Sequence, residues 1–181
     1  MNSLKEQYKS AVVPALKEQL GRKHVLQVPR IKKVTLNTGL STKRDPKFME
    51  VLLETLERIS GQKPVQTKAR LSEAGFKIRE GMPIGAMVTL RGGRMWDFVE
   101  KLVNVSFPRI RDFRGIPESA VDTTGNFNYG FKEHTAFPEI NANEVDQLHG
   151  LQVNITTTAE TKEEGLALFK ALGFPFKKNT K

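Results

Sequence analysis

Three separated segments of this chain alternate apolar and polar residues with a period of two, and that alternation limits the fold more than any other feature. In Ile31 to Thr38, Val34 and Leu36 fall on one side while Lys33, Thr35 and Asn37 fall on the other. In Ala86 to Arg91, Ala86, Val88 and Leu90 oppose Met87, Thr89 and Arg91; in Leu151 to Thr158, Val153 and Ile155 oppose Gln152, Asn154 and Thr156. Successive side chains of a strand point to opposite faces, so each segment predicts a strand with one wet face. Val65 to Ala69 and the alternation Phe127, Tyr129, Phe131 add two more. A sheet wet on one side is antiparallel or mixed and is covered on the other side only.

Four amphipathic helices are available as cover. Ser3 and Glu6 form a capping-box pattern before Leu4, Tyr8, Val12, Leu16 and Leu20, which recur at helical spacing until Gly21; Pro14 predicts a kink or weak point. A second helix has Asp45 as N-cap and Pro46 in its first turn, an apolar face of Phe48, Met49, Leu52, Leu53, Leu56 and Ile59, and a stop at Gly61. A third follows Gly93 with Met95, Phe98, Val99 and Leu102 and ends before Pro108. The fourth has a Thr161–Glu164 capping box, then Leu166, Phe169 and Leu172, and stops at Gly173. The expected fold is α+β: a mostly antiparallel sheet with helices packed on one face, ferredoxin- or RRM-like, carrying long functional loops. At 181 residues, with no linker, repeat or low-complexity segment, the whole chain is expected to be one domain. Arg109 to Asn126 lacks periodicity and is too long for a simple connection, so it is a candidate functional loop.

Enzyme chemistry finds little support. There is no cysteine, and His24, His134 and His149 are scattered at no metal-ligand spacing, which reads them as surface or loop residues. Gly81 and Gly85 do not have dinucleotide-loop spacing, and Gly92-Gly93 lacks the Lys-Ser or Lys-Thr of a phosphate loop. Glu163 and Glu164 are explained by a helix start. Neither a catalytic residue, a metal, a cofactor nor a small-molecule substrate is expected. No apolar run of membrane-spanning length or signal-like leader is present, so the expected location is cytoplasmic, and the sequons at Asn104 and Asn154 read as chance.

The charge balance points instead to an anionic partner. Lys and Arg number 29 against 20 Asp and Glu, a net charge of +9. Between Phe76 and Gly92 a glycine-punctuated loop carrying Lys77 and Arg79 runs into the strand that ends in Thr89 and Arg91, which suits RNA contact or is simply a solvated basic hairpin. The polar strand face offers Lys33, Thr35, Asn37, Lys68, Thr89, Arg91, Asn154 and Thr156, with no aromatic among them. Single-strand binders stack bases on aromatic platforms, so this face suits a folded, helical RNA or, in the plainer reading, solvent. Pro108 to Gly115 holds Arg109, Arg111 and Arg114, which suit phosphates or carboxylates; Asp112 could lock one of them, and Phe113 could enter a partner or plug the core. Lys177, Lys178 and Lys181 read as a solvated tail. An enzyme that clamps a phosphorylated substrate with the three arginines, and a free-standing single-strand RNA regulator, are the competing readings.

The runs VPRIKKVTLNTGL, GQKPVQTKA, GFKIREGMPIGAMVTLRGGRMW, FPRIRDFRGI, FKEHTAFPEI and LQVNITTTA, in this order and over essentially the whole chain, resemble the bacterial large-subunit ribosomal protein L-five family. The resemblance implies a structural ribosomal protein that binds 5S ribosomal RNA and helps attach it to the central protuberance. It further implies other large-subunit RNA, peptidyl-site transfer RNA and a small-subunit head protein, met at an intersubunit bridge, as partners. By position, it assigns 5S RNA to Lys33, Thr35, Asn37, Thr38, Gly39, Gln62, Lys63, Thr67, Lys68, Thr89 and Arg91. The transfer-RNA loop is Arg70 to Met82, with Arg70, Ser72, Gly75, Phe76, Lys77, Arg79, Gly81 and Met82 as its contacts, Gly81, Pro83 and Gly85 forming the joint behind it. Arg109, Arg111, Asp112, Phe113 and Arg114 are assigned to the bridge or to a loop-holding network. Leu71, Thr124 and His149 replace residues that are usually basic in the family, which weakens the loop's electrostatics and puts RNA contact at the last two in doubt.

Overall fold

A computed structural model describes residues 3–40, 48–141 and 147–177. Asp45, Pro46, Lys178 and Lys181 lie outside the described residues. The strands are β1 (Ile31–Gly39), β2 (Val65–Lys68), β3 (Pro83–Leu90), β4 (Phe127–Phe131) and β5 (Leu151–Thr157), in one antiparallel sheet of order β2-β3-β1-β5-β4. The α-helices are α1 (Leu4–Gln7), α2 (Val13–Gln19), α3 (Phe48–Ser60), α4 (Gly92–Lys101) and α5 (Lys162–Ala171). With β4 set aside, the run β1–α3–β2–β3–α4–β5 is a β-α-β-β-α-β arrangement with β1 and β3 at its centre, the expected ferredoxin-like order.

The residues gather into two compact units, and the unit boundaries fall inside β1, β3, β4 and β5. The first comprises Met1–Val34, Leu90–Tyr129 and Asn154–Lys181; the second, Thr35–Thr89 and Gly130–Val153. Neither is a continuous piece of chain.

In the first unit the helix starting at Leu4 is set by the Ser3–Glu6 capping box, both halves of which form. A π turn (Tyr8–Val12) separates α1 from α2, closing with the Val13 N–H on the Tyr8 carbonyl. Pro14 sits in the first turn of α2, where its missing N–H breaks the regular ladder and the wider turn takes up the break. At the far end the Gly21 N–H bonds the Glu18 carbonyl and the Arg22 N–H the Lys17 carbonyl, which closes the helix in a Schellman motif. The core here is aromatic: Phe127 lies 5.3 Å from Phe169 and 5.1 Å from Phe174, and Phe107 lies 6.0 Å from Phe174. α5 departs from its expected pattern in two respects. Its buried face is Gly165, Leu168, Phe169 and Leu172, while Leu166 is half-buried. Thr161 caps the Glu164 N–H, but the Glu164 carboxylate returns to the Glu160 N–H and pairs with Arg22, so the capping box is only half formed.

In the second unit α3 buries Phe48, Met49, Leu52, Leu56 and Ile59, and the sheet buries Leu36, Ala86, Val88, Leu151 and Val153. His134 and His149 lie in the connections between strands, as loop residues, but the reading of them as surface residues is corrected here. They are 2% and 5% exposed, and their rings stack with centroids 3.9 Å apart. Sequence spacing hid this because 15 positions separate them and only the return of the chain brings the rings together.

Candidate nucleic-acid interface

The half-buried residues of β1 in the second unit, Thr35 and Asn37, alternate with buried Leu36 and Thr38. This parity gives Asn37 to the polar face and turns the Thr38 side chain inward, 3% exposed, so Thr38 can meet a ligand through its backbone only. β3 continues the face with half-buried Thr89 and exposed Met87, and β2 with half-buried Thr67 and exposed Lys68. The two strands pair antiparallel with Val65 opposite Met87 and Thr67 opposite Gly85. Val65 is 65% exposed and Met87 37%; alternation puts Met87 on the wet side but not Val65, and together they set an apolar pair within the polar face. The signal for Met87 is the parity it shares with Thr89.

The turn after α3 is bonded in two directions. The Ser60 hydroxyl donates to the Leu56 carbonyl and accepts the Gln62 N–H at 3.2 Å, while the Gln62 side-chain amide donates to the Thr89 carbonyl at 3.3 Å. Gln62 therefore fixes the turn against the end of β3 and leaves its side-chain oxygen for a partner, and Lys63 beside it is exposed. Among the face residues Thr35, Asn37, Val65, Thr67, Lys68, Met87 and Thr89 none is aromatic. Gly39 is exposed at the end of β1. Lys33 and Arg91 belong to the first unit: Lys33 is half-buried on β1, and Arg91 is exposed at the N-cap of α4 rather than within a strand.

The segment from Arg70 to Met82 is a small built hairpin. The Gly81 N–H donates to the Ala69 carbonyl and the Ala69 N–H to the Met82 carbonyl, which carries the β2–β3 pairing beyond the strands. Glu73 and Ile78 exchange both backbone bonds at 2.9 and 3.1 Å. Ala74–Phe76 forms a single 3-10 turn, closed by Lys77 in the left-handed region at φ 55°. The Ser72 hydroxyl accepts the Glu80 N–H at 3.0 Å and ties the two arms together, a role that no sequence pattern announced. Arg70, Ser72, Gly75, Phe76, Lys77, Arg79, Gly81 and Met82 are all exposed, as is Leu71 at 81%.

Arg109, Arg111 and Arg114 in the first unit are exposed and make no ion pair among the described residues; Asp112, at φ 55°, locks none of them. Phe113 is half-buried and stacks on Phe107 at 5.7 Å, so it anchors the loop to the aromatic core. The second half of the 109–126 stretch is structural, with Ile116, Ala120 and Val121 buried. Asp122 closes it, accepting from the Thr124 and Asn126 N–H groups at 3.0 and 2.8 Å. Burial would raise the Asp122 pKa, but the bonds from Asn126 and Thr124 together hold it below its usual value. Thr124 is thus occupied within its own turn, and His149 is buried, so neither presents a side chain as a basic residue there would. Among the described residues no group of three or more His, Cys, Asp or Glu is placed to hold a metal, and no helix is long and apolar enough to cross a membrane.

Residues 24–79 match the family described as Ribosomal protein L5, and residues 83–176 match the model of that ribosomal family's C-terminus. The chain is 50% identical over 177 residues to the Large ribosomal subunit protein uL5 of Halothermothrix orenii, covering 97% of this chain and 99% of that protein. It is 52% identical over 179 residues to that of Colwellia psychrerythraea (98% and 99%), and 53% identical over 179 residues to that of a Marinomonas species (98% and 100%).

Proposed function

Because the chain belongs to the ribosomal protein L5 family, as a structural and non-enzymatic protein, we propose that within the large ribosomal subunit it binds 5S ribosomal RNA through the polar face of its second unit. One observation carries the choice of face: half-buried Asn37, Thr67 and Thr89, with exposed Lys63 and Lys68, offer hydrogen bonds and charge but no aromatic platform. That set fits phosphates, 2′-hydroxyls and a shallow groove, which a pre-folded helical RNA displays. Thr35, Gly39, Gln62 and the Thr38 backbone belong to or border this face; Lys33 and Arg91, in the first unit, are contacts of that unit by itself. By holding this RNA the protein helps attach it to the central protuberance of the large subunit.

The exposed hairpin tip, with Phe76, Lys77 and Arg79, is the contact for peptidyl-site transfer RNA. Arg109, Arg111 and Arg114 meet a small-subunit head protein across the subunit interface. The central claim is tested by filter binding of 5S RNA against salt. For about five phosphate contacts, log K falls with log salt at a slope near −4 by analogy with duplex DNA. A flat dependence, or equal affinity for an unrelated hairpin, rejects the face.

A further inference from the structure

We infer that the C-terminal segment Phe174 to Lys177 is a clamp that positions the arginine loop 109–114, and that Lys177 joins the three arginines in a cationic surface shaped for an acidic patch on a protein. This rests on the bridge reading above and adds to it a positioning element and a fourth cation.

The clamp is built from backbone. The Ile116 N–H donates to the Pro175 carbonyl at 2.8 Å, and the Lys177 N–H donates to the Ile116 carbonyl at 2.9 Å, so Ile116 and Phe176 form a parallel bridge. Gly115 has φ +92°, and a Cβ there would stand 3.0 Å from the Lys177 nitrogen and 3.1 Å from its Cα. Only glycine lets the C-terminal backbone press this closely on the end of the arginine loop. Both sides of the clamp are anchored. Phe174 packs 5.0 Å from Phe169, Phe113 stacks on Phe107, and Lys170 pairs with Glu118 at 2.8 Å while lying 6.0 Å over the Phe176 ring. The Ile110 N–H bonds the Phe107 carbonyl at the start of the loop, Phe113 packs its middle and the Ile116 bonds hold its end, while Arg109, Arg111, Arg114 and Lys177 remain exposed and unpaired among the described residues. Cations held on a fixed backbone lose less conformational freedom on binding.

Asp112 selects the partner. It is exposed within the cluster and bonded to none of the arginines. A carboxylate there repels a run of phosphates, whereas an acidic protein patch can set one of its own cations against Asp112 while its carboxylates meet the four basic side chains.

The test compares large subunits reconstituted with Gly115→Ala, Lys177→Pro, Lys177→Arg, Lys177→Ala and Arg111→Ala chains. It reads the affinity for small subunits, together with amide exchange at Ile116 in the free protein. Gly115→Ala and Lys177→Pro are expected to speed Ile116 exchange about tenfold. They are also expected to weaken association roughly threefold, as Arg111→Ala does, although every arginine is intact. Lys177→Ala keeps exchange slow and weakens association at low salt only, and Lys177→Arg restores it. Fast exchange with wild-type association in the two clamp variants, while Arg111→Ala still weakens it, overturns the positioning role; so does unchanged exchange. Wild-type association with Arg111→Ala overturns the bridge reading and with it the acidic partner, leaving the clamp to be judged by exchange across 109–116. A photo-cross-linker at Arg109 is expected to give a protein adduct in joined subunits, and an RNA adduct rejects the protein partner.

Discussion

A Cβ on Gly85 would stand 2.5 Å from the carbonyl oxygen of Thr38 and 3.0 Å from the Thr67 hydroxyl. β3 therefore passes its neighbours with no room for a side chain, in the middle of the face assigned to RNA. Gly85→Ala must push either a backbone carbonyl or a strand aside. It is expected to cost about 1–3 kcal/mol in denaturant unfolding. Gly39 has nothing within 4 Å of its Cβ position, so Gly39→Ala is expected to stay within about 0.5 kcal/mol of wild type. Equal costs for the two would remove the steric explanation.

The stacked His134–His149 pair makes stability sensitive to mild acid. Burial lowers the His134 pKa from 6.5 more strongly than the bond to His149 and nearby Glu133 raise it. A depressed value means that the folded state favours neutral imidazole. Its contribution is complete above pH 6.5 and is lost as pH falls through the folded value. The melting temperature is expected to fall between pH 7 and pH 5, a window above the one in which Asp122 and Glu164 titrate. His134→Phe, which keeps a ring in place, is expected to flatten that slope; an unchanged slope assigns the loss to other groups.

The two RNA surfaces are expected to be separable. Arg91→Ala weakens 5S RNA binding, by about 1 kcal/mol if one charge-assisted phosphate bond is lost, whereas Lys77→Ala leaves it intact and weakens transfer RNA on the ribosome. Filter binding and peptidyl-site occupancy measure the two effects. Loss of 5S binding in both variants would show that the surfaces are wrongly divided.

Ser72 provides a way to loosen the hairpin without touching its charge. Ser72→Ala deprives the Glu80 N–H of its acceptor at an exposed site. The expected signs are faster amide exchange at Glu80, a stability loss of no more than about 1 kcal/mol, and weaker transfer-RNA contact with unchanged 5S affinity. Unaltered exchange at Glu80 would exclude Ser72 as the tie.

Short-range pattern carried much of this molecule. The Ser3 cap, the Gly21 stop, the α3 face and the two faces of β1, β3 and β5 were legible because each depends on residues a few positions apart. The buried stripe of α5 runs through Gly165, Leu168, Phe169 and Leu172, so Leu166, about 100° round from Gly165, sits at its edge, whereas Phe169 and Leu172 are buried as the pattern predicts. Arg91 was placed one residue too deep in a strand, because polar alternation continues across a strand end into a helix cap.

The sequence by itself determined the alternation of wet and dry faces, the helix ends, the excess of positive charge and the family. These are local or additive properties of the residues. Only the tertiary structure decided that Gly85 has no room for a side chain, that His134 and His149 share a buried stack, and that Lys177 closes on Gly115. Each of these joins residues distant in the chain or depends on how closely two backbones pass, and no local pattern encodes that separation.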